Sequence, residues 1–380
     1  MDLGKELPTL ETPAGSPFSQ FKSLCSLTDY FNLPENRDLD YLLSVEGEFS
    51  KFDFKSSLNL INRLRIINII RSIDPDNNLW HEKSAEITAA LKAANYWVER
   101  VHDQTLTSRE ITIFAPLPFH MSSVEDSERL AHSYDHRTRK SSERAISNII
   151  DRAHEVLESY GRSEFSDLIK DRDGLISEYF PSIVDIHHEV TDNAYRHALR
   201  SPLTNIWMDD EKNNNGFFGD TLYLQINRLT ISSSGRVVLE KSSSNQDYPE
   251  SLRAYVDSRA ANSRLRSFRG RGRILSFAYG DNGPGPLRHI KKYAPEHVRN
   301  EINTLSDVFR NGFSSRPDIK GSGSGFNNMV SAARIIKGYV CVRSGKTTVY
   351  YDGLQDKFGE EIDPSINTER GTMVFLMFGL

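Results

Sequence analysis

The stretch HHEVTDNAYRHA, His187 to Ala198, carries two carboxylates, a carboxamide, a guanidinium and three imidazoles on what otherwise reads as an apolar-striped helix. At about 100° per residue, Ile183, Ile186, Val190 and Ala194 fall within about 80° of one another and form a core stripe. Glu189, Asn193 and Arg196, at spacings of four and three, share the flank of that stripe. They therefore stand at the rim of a core, where a cleft would expose them; the same spacing also describes a surface row giving weak local support. Two glycine-rich stretches downstream offer complementary chemistry. In GDNGPG, Gly280 to Gly285, the glycines allow a tight turn and close approach of a flat ligand. Asp281, at the end of an apolar strand, can accept a hydrogen bond from an amino group, although a β-turn of Asp, Asn, Gly and Pro uses the same residues. In GSGSG, Gly321, Ser322, Gly323, Ser324 and Gly325 open a helix, where successive backbone N–H groups suit phosphates. A flexible linker with helix-capping serines has that composition too.

Two common nucleotide motifs are excluded. SGKT at Ser344 to Thr347 lacks the Walker A glycine, because position 340 is Val, and it reads as a hairpin turn between two strands. GSGSGF breaks the dinucleotide fingerprint at Phe326 and follows no strand.

Taken in order, Glu189-x-x-x-Asn193-Ala194-x-Arg196-His197, Asp281-x-Gly283-x-Gly285, Gly321-x-Gly323-x-Gly325 and Gly371-Thr372 resemble the motifs of the GHKL ATPases. That superfamily includes DNA gyrase, MutL, histidine kinases and the ninety-kilodalton heat-shock chaperones. The resemblance covers roughly residues 140 to 380 and implies a Bergerat-type α/β domain, an α+β two-layer sandwich with ATP held between helices and a mixed sheet. It implies Asn193 as the Mg²⁺ ligand, Asp281 as acceptor for the adenine amino group, and Gly283 and Gly285 as shaping the adenine pocket. Gly321, Ser322, Gly323, Ser324 and Gly325 become the phosphate end of a lid spanning about residues 287 to 320, and Thr372 lies near the adenine. Arg196 and His197 match the pattern with less defined duties. Glu189 takes the general-base position of hydrolysing members; a carboxylate one helical turn from the metal ligand can deprotonate water beside the γ-phosphate. Phe326 departs from the usual Leu, and the stretch from Leu199 to Arg273 exceeds a minimal domain. The sequence ends just after the last strand, so a downstream transducer domain is not expected.

The activity implied is that of an ATP-dependent conformational switch acting on a partner protein. The alternatives are a protein kinase of the histidine or anti-sigma serine type, and a non-catalytic module whose nucleotide is structural. A sensor kinase would carry an H-E-x-x-T-P-like phosphoacceptor; His132, His136 and His154 stand on helical sequence without one.

Several elements must position these residues. The pattern predicts a helix over Val124 to Tyr160, another over Asp171 to Leu199 broken near Pro181, and strands over Leu222 to Ser232, Gly235 to Leu239 and Arg273 to Tyr279. Between them Glu240 to Arg273 reads as an insertion or mobile loop. Leu287 to Gly312 is mostly helical, and Phe326 to Ile336 is a helix. Gly338 to Arg343 and Thr347 to Tyr351 form a hairpin, and Met373 to Phe378 is a final strand. Upstream, Tyr41 to Phe54 suggests short strands, Ser56 to Ile73 and Ser84 to Val101 helices, and Glu110 to Phe114 a strand. The division expected is a loose leader at 1–35, a small α/β domain at 36–120 loosely resembling a STAS module, and the ATPase domain at 121–380.

Length and composition permit this plan. With 380 residues, 38% hydrophobic and 26% charged, the chain can build two cores. A net charge of −5 gives no general attraction to nucleic acid or anionic membrane. Arg264, Arg266, Arg269, Arg271 and Arg273 form a local basic run that could meet nucleic acid, but a solvated loop is favoured. Two cysteines suit a reducing compartment, and neither a signal peptide nor an apolar span is visible, so a cytoplasmic protein outside the membrane is expected. A homodimer is compatible with the pattern.

Overall fold

Strands that are apolar at nearly every position demand cover on both faces of a sheet. The structure, a computed structural model, describes residues 18, 21–22, 97–99, 111–116, 142–143, 146–147, 175–197, 222–230, 248–266, 273–281, 285–310, 324–364, 366 and 371–379. Among them one sheet is formed by β1 (Trp97–Glu99), β2 (Ile111–Pro116), β3 (Leu222–Thr230), β4 (Arg273–Asp281), β5 (Tyr339–Ser344), β6 (Thr347–Asp352), β7 (Lys357–Ile362) and β8 (Thr372–Gly379). Their order is β1-β2-β3-β4-β8-β5-β6-β7. Every described pairing is antiparallel, so the sheet is not the mixed one that the family resemblance implied. The helices are α1 (Leu175–His197), α2 (Glu250–Arg266), α3 (Pro286–Tyr293), α4 (Glu296–Glu301), α5 (Leu305–Arg310) and α6 (Gly325–Ile335).

The period of two sorts the strand residues onto two cores. Phe277, Tyr279, Val340, Val342, Val374, Leu376 and Phe378 face α1 and α6, packing with Ile183, Ile186, Val190, Phe326, Met329 and Ala333. Their neighbours Ala278, Tyr339, Cys341, Met373, Phe375 and Met377 face the other way and pack with Leu252, Tyr255 and Val256 of α2 and with Phe18 and Phe21. Burial pushes the Cys341 thiol up to about 12, so it stays a neutral packing group. The fold is a mixture of helix and antiparallel sheet, with helical cover on both faces where a two-layer sandwich was expected.

Two adjacent glutamates on β7 tie the faces together. Glu361 accepts the first-turn N–H groups of α2, from Glu250 at 2.9 Å and Ser251 at 2.6 Å. Glu360, projecting to the opposite face, accepts from the Ser306 N–H at 3.2 Å and from the Ser306 hydroxyl in α5. Each carboxylate satisfies a helix N-terminus that carries partial positive charge. A third close approach fixes the link from α6 into β5. There the Gly353 N–H donates to the Gly338 carbonyl at 2.8 Å. A Cβ on Gly353 would lie 2.6 Å from that carbonyl oxygen and 2.9 Å from the Ala333 oxygen. Both obstacles are backbone, so Gly353→Ala is expected to cost about 2 kcal/mol, read as a lowered midpoint in urea unfolding.

Several expected elements stand as read. β3, β4, the β5–β6 hairpin, β8 and α6 match, and the segment expected to be mostly helical after Leu287 supplies α3, α4 and α5. Ile290, Ala294, Val298, Ile302 and Val308 of that segment form their own small core.

Others are corrected. The expected loop at 240–273 contains α2, because Leu252, Tyr255 and Val256 recur at helical spacing and are buried on the sheet. No break occurs at Pro181, which is exposed in the early turns of α1, where one backbone hydrogen bond can be lost without ending the helix. Trp97–Glu99, expected within a helix, pairs as a strand with Trp97 opposite Phe114 and Val98 opposite Ile113; pairing overrides local propensity there. β2 in turn pairs with β3, so one sheet joins residues on both sides of position 120. The supposed loose leader is fixed at Phe18 and Phe21, each 1% exposed. β7 was not foreseen. The strands and helix expected at 41–73, the strand at 235–239 and nearly all of the helix at 124–160 lie outside the described residues. Among the described residues no helix is long and apolar enough to cross a membrane.

Candidate functional site

The direction of α1 determines where its polar flank arrives. Near its start Tyr179 contacts the ring of Phe378, which lies opposite Leu275 of β4. Two turns later the His187 Nδ1 is 3.2 Å from the Tyr279 hydroxyl. Eight helical residues advance about 12 Å and four strand residues about 13 Å, so α1 and β4 run alongside each other in the same direction. Continuing, α1 brings Glu189 and Asn193 to the end of the sheet where β4 finishes at Asp281.

The same end collects the other motifs. Asp281 is 6% exposed and pairs in register with Thr372, the first residue of β8. Gly371 precedes it at φ 82° and Gly285 caps α3 at φ 82°, both in the left-handed region that favours glycine. The Ser344 hydroxyl donates to the Gly371 carbonyl at 3.0 Å and holds the start of β8. α6 begins here and runs back toward β5, whose first residue Tyr339 lies opposite Met377 at the far end of β8.

α6 and α1 meet closely. A Cβ on Gly325 would stand 2.7 Å from Glu189 Oε2 and 3.0 Å from Asn193 Nδ2, so glycine leaves room for these two side chains at the start of α6. The Asn328 carboxamide donates to Glu189 Oε1 at 2.6 Å. No acidic residue occupies the first turn of α6, so the partial positive charge of its N-terminus is not offset within that turn. Beneath the site, His187 is fully buried, and burial pushes the Tyr279 phenol well above its ordinary range, which keeps that hydroxyl protonated.

Of the residues singled out in the sequence, Glu189, Asn193, Asp281, Gly285, Ser324, Gly325 and Thr372 come to this end of the sheet. Arg196 and His197 lie in the last turn of α1, described as backbone. Gly283, Gly321, Ser322 and Gly323 lie outside the described residues. In the basic run, Arg264 and Arg266 fall in α2 and Arg273 opens β4, while Arg269 and Arg271 lie outside. Asn328 escaped sequence reasoning, since one Asn in the first turn of a helix carries no distinctive signal.

Among the described residues no group of three His, Cys, Asp or Glu is gathered to hold a metal by itself. Asn193, exposed at the rim, offers a hard oxygen suited to Mg²⁺, an ion that takes few protein ligands and completes its shell with phosphate and water.

This class of structure is an antiparallel sheet covered by helices on both faces, with a polar site at one end built from two helices and two strand termini. Compared with models of protein families, with curated proteins and with solved structures, the chain matches none.

Proposed function

We propose that the chain is a Mg-ATP-binding ATPase of the GHKL type, with a Bergerat-like domain, acting as a nucleotide-driven switch on a partner protein. One observation carries the reading. Two motifs over a hundred residues apart, Glu189/Asn193 and Gly325, meet so closely that the ends of the Glu189 and Asn193 side chains occupy the space a methyl group on Gly325 would take.

Each side chain has a duty in this reading. The buried Asp281 carboxylate accepts from the exocyclic amino group of adenine, and Thr372, its cross-strand neighbour, lines the same edge. Gly285 and the start of α3 let the base lie against backbone. The N-terminus of α6 would face the phosphates, and Asn193 would offer its oxygen to the Mg²⁺, which would supply positive charge against the triphosphate. Glu189 would orient water and receive its proton as that water attacks the γ-phosphorus and the bond to the β,γ-bridging oxygen breaks, with ADP as the leaving group. The helices α3 to α5 form the body of the lid, held to β7 through Ser306 and Glu360.

Calorimetric titration of Asp281→Asn with ATP tests the adenine assignment. Loss of a charged acceptor is expected to weaken binding by about tenfold, with the fold intact by circular dichroism. Unchanged affinity would remove Asp281 from the site and with it this reading.

A further inference from the structure

Resting on that reading, we propose that Asn328 is a positioning residue for Glu189: it holds one carboxylate oxygen so that the other faces the reacting water. A carboxylate can only accept, so the short contact to Oε1 at 2.6 Å fixes the Asn328 amide as donor, and the bond is charge-assisted. Oε1 is thereby committed to α6. Oε2 lies beside Gly325, whose missing Cβ leaves it room at the very start of the helix. The oxygen at the N-terminus of α6, where phosphate would gather, is thus the one that takes the proton.

The placement also links positioning to nucleotide. Asn328 closes the first turn of α6, its N–H bonded to the Ser324 carbonyl at 3.0 Å, and the last glycine of the GSGSG stretch, Gly325, opens that helix. Whatever seats the first turn of α6 on phosphate seats Asn328 as well, so Glu189 is aimed only when that helix start is in place.

The experiment measures phosphate release and ATP affinity for the full chain and for Asn328→Ala, Asn328→Gln, Glu189→Gln and the double variant Glu189→Gln/Asn328→Ala. Asn328→Ala is expected to slow turnover by roughly tenfold while ATP affinity stays within about twofold, since only the aim of the carboxylate is lost. Asn328→Gln, which keeps the amide on a flexible stem, recovers most of the rate. In the Glu189→Gln background the alanine change adds nothing, because Asn328 acts through that carboxylate. Should Asn328→Ala not fold, the isosteric Asn328→Asp carries the same test, setting a second carboxylate against Glu189 and slowing turnover further. Wild-type turnover by Asn328→Ala, or an equal loss in both backgrounds, overturns this inference and leaves the ATPase reading standing. Absence of ATP turnover in the wild type overturns both.

Discussion

Glu189→Gln is expected to lower phosphate release by about two to four orders of magnitude while changing ATP affinity by less than about twofold. The substitution is unusually clean at this position. Glutamine is isosteric, and its amide oxygen can still accept from Asn328, so the contact that ties α1 to α6 survives. What disappears is the ability to take a proton from water. Nor does the core suffer, because Glu189 lies on the rim, only partly buried, while Ile186 and Val190 on the adjacent stripe hold the helix to the sheet. Single-turnover release of phosphate, beside calorimetric binding, separates the two effects. Hydrolysis that survives the substitution removes the general-base role from Glu189. Labelled phosphate recovered on a partner protein, in place of free phosphate, would turn the activity into that of a protein kinase.

Legibility in the sequence followed the range of each signal. Strands β4, β5, β6 and β8 are apolar runs bounded by turn residues, and they are legible because burial on both faces leaves few polar positions to confuse the pattern. The polar residues of α1 were legible for the opposite reason: Glu189 and Asn193 contradict the helix's own apolar stripe, and such local conflicts concentrate at functional sites. α2 was not legible. Its apolar residues Leu252, Tyr255 and Val256 are diluted by Arg253, Asp257, Arg259 and the arginines beyond, and only the face of the sheet beneath explains them. Arg259, itself part of that polar load, donates to the Gly379 carbonyl at 2.9 Å and pins the helix over the end of β8. Neither could a sequence show that Glu360 and Glu361 would each find a helix N-terminus on opposite sides of the sheet, since both partners lie more than fifty residues away. The same limit hid Asn328. Its meaning comes from a residue 139 positions earlier, and no local pattern reports that.

Gly325→Ala is the substitution in which activity and stability should part company most sharply. On stability alone it ought to help. Gly325 is the first residue of α6 and needs no left-handed backbone, so alanine there restricts the unfolded chain and favours the helix by up to about 1 kcal/mol. Space is the difficulty. The new methyl would come within 2.7 Å of Glu189 Oε2 and 3.0 Å of Asn193 Nδ2. Both are the far ends of side chains that stand at the rim, so they can swing away at little cost to the fold, unlike the backbone carbonyls that enclose Gly353. Once they swing, however, the carboxylate leaves Asn328 and the carboxamide leaves its position beside the helix start. A displacement of about 1 Å in such groups is enough to lower turnover by about a hundredfold. The expected result is a melting temperature equal to or above that of the wild type together with that loss of phosphate release, and a weaker response of ATP affinity to Mg²⁺ as Asn193 shifts. Full turnover in a stable Gly325→Ala protein would show that the close packing of α1 on α6 serves the fold alone, and that Glu189 and Asn193 must be assigned some other task.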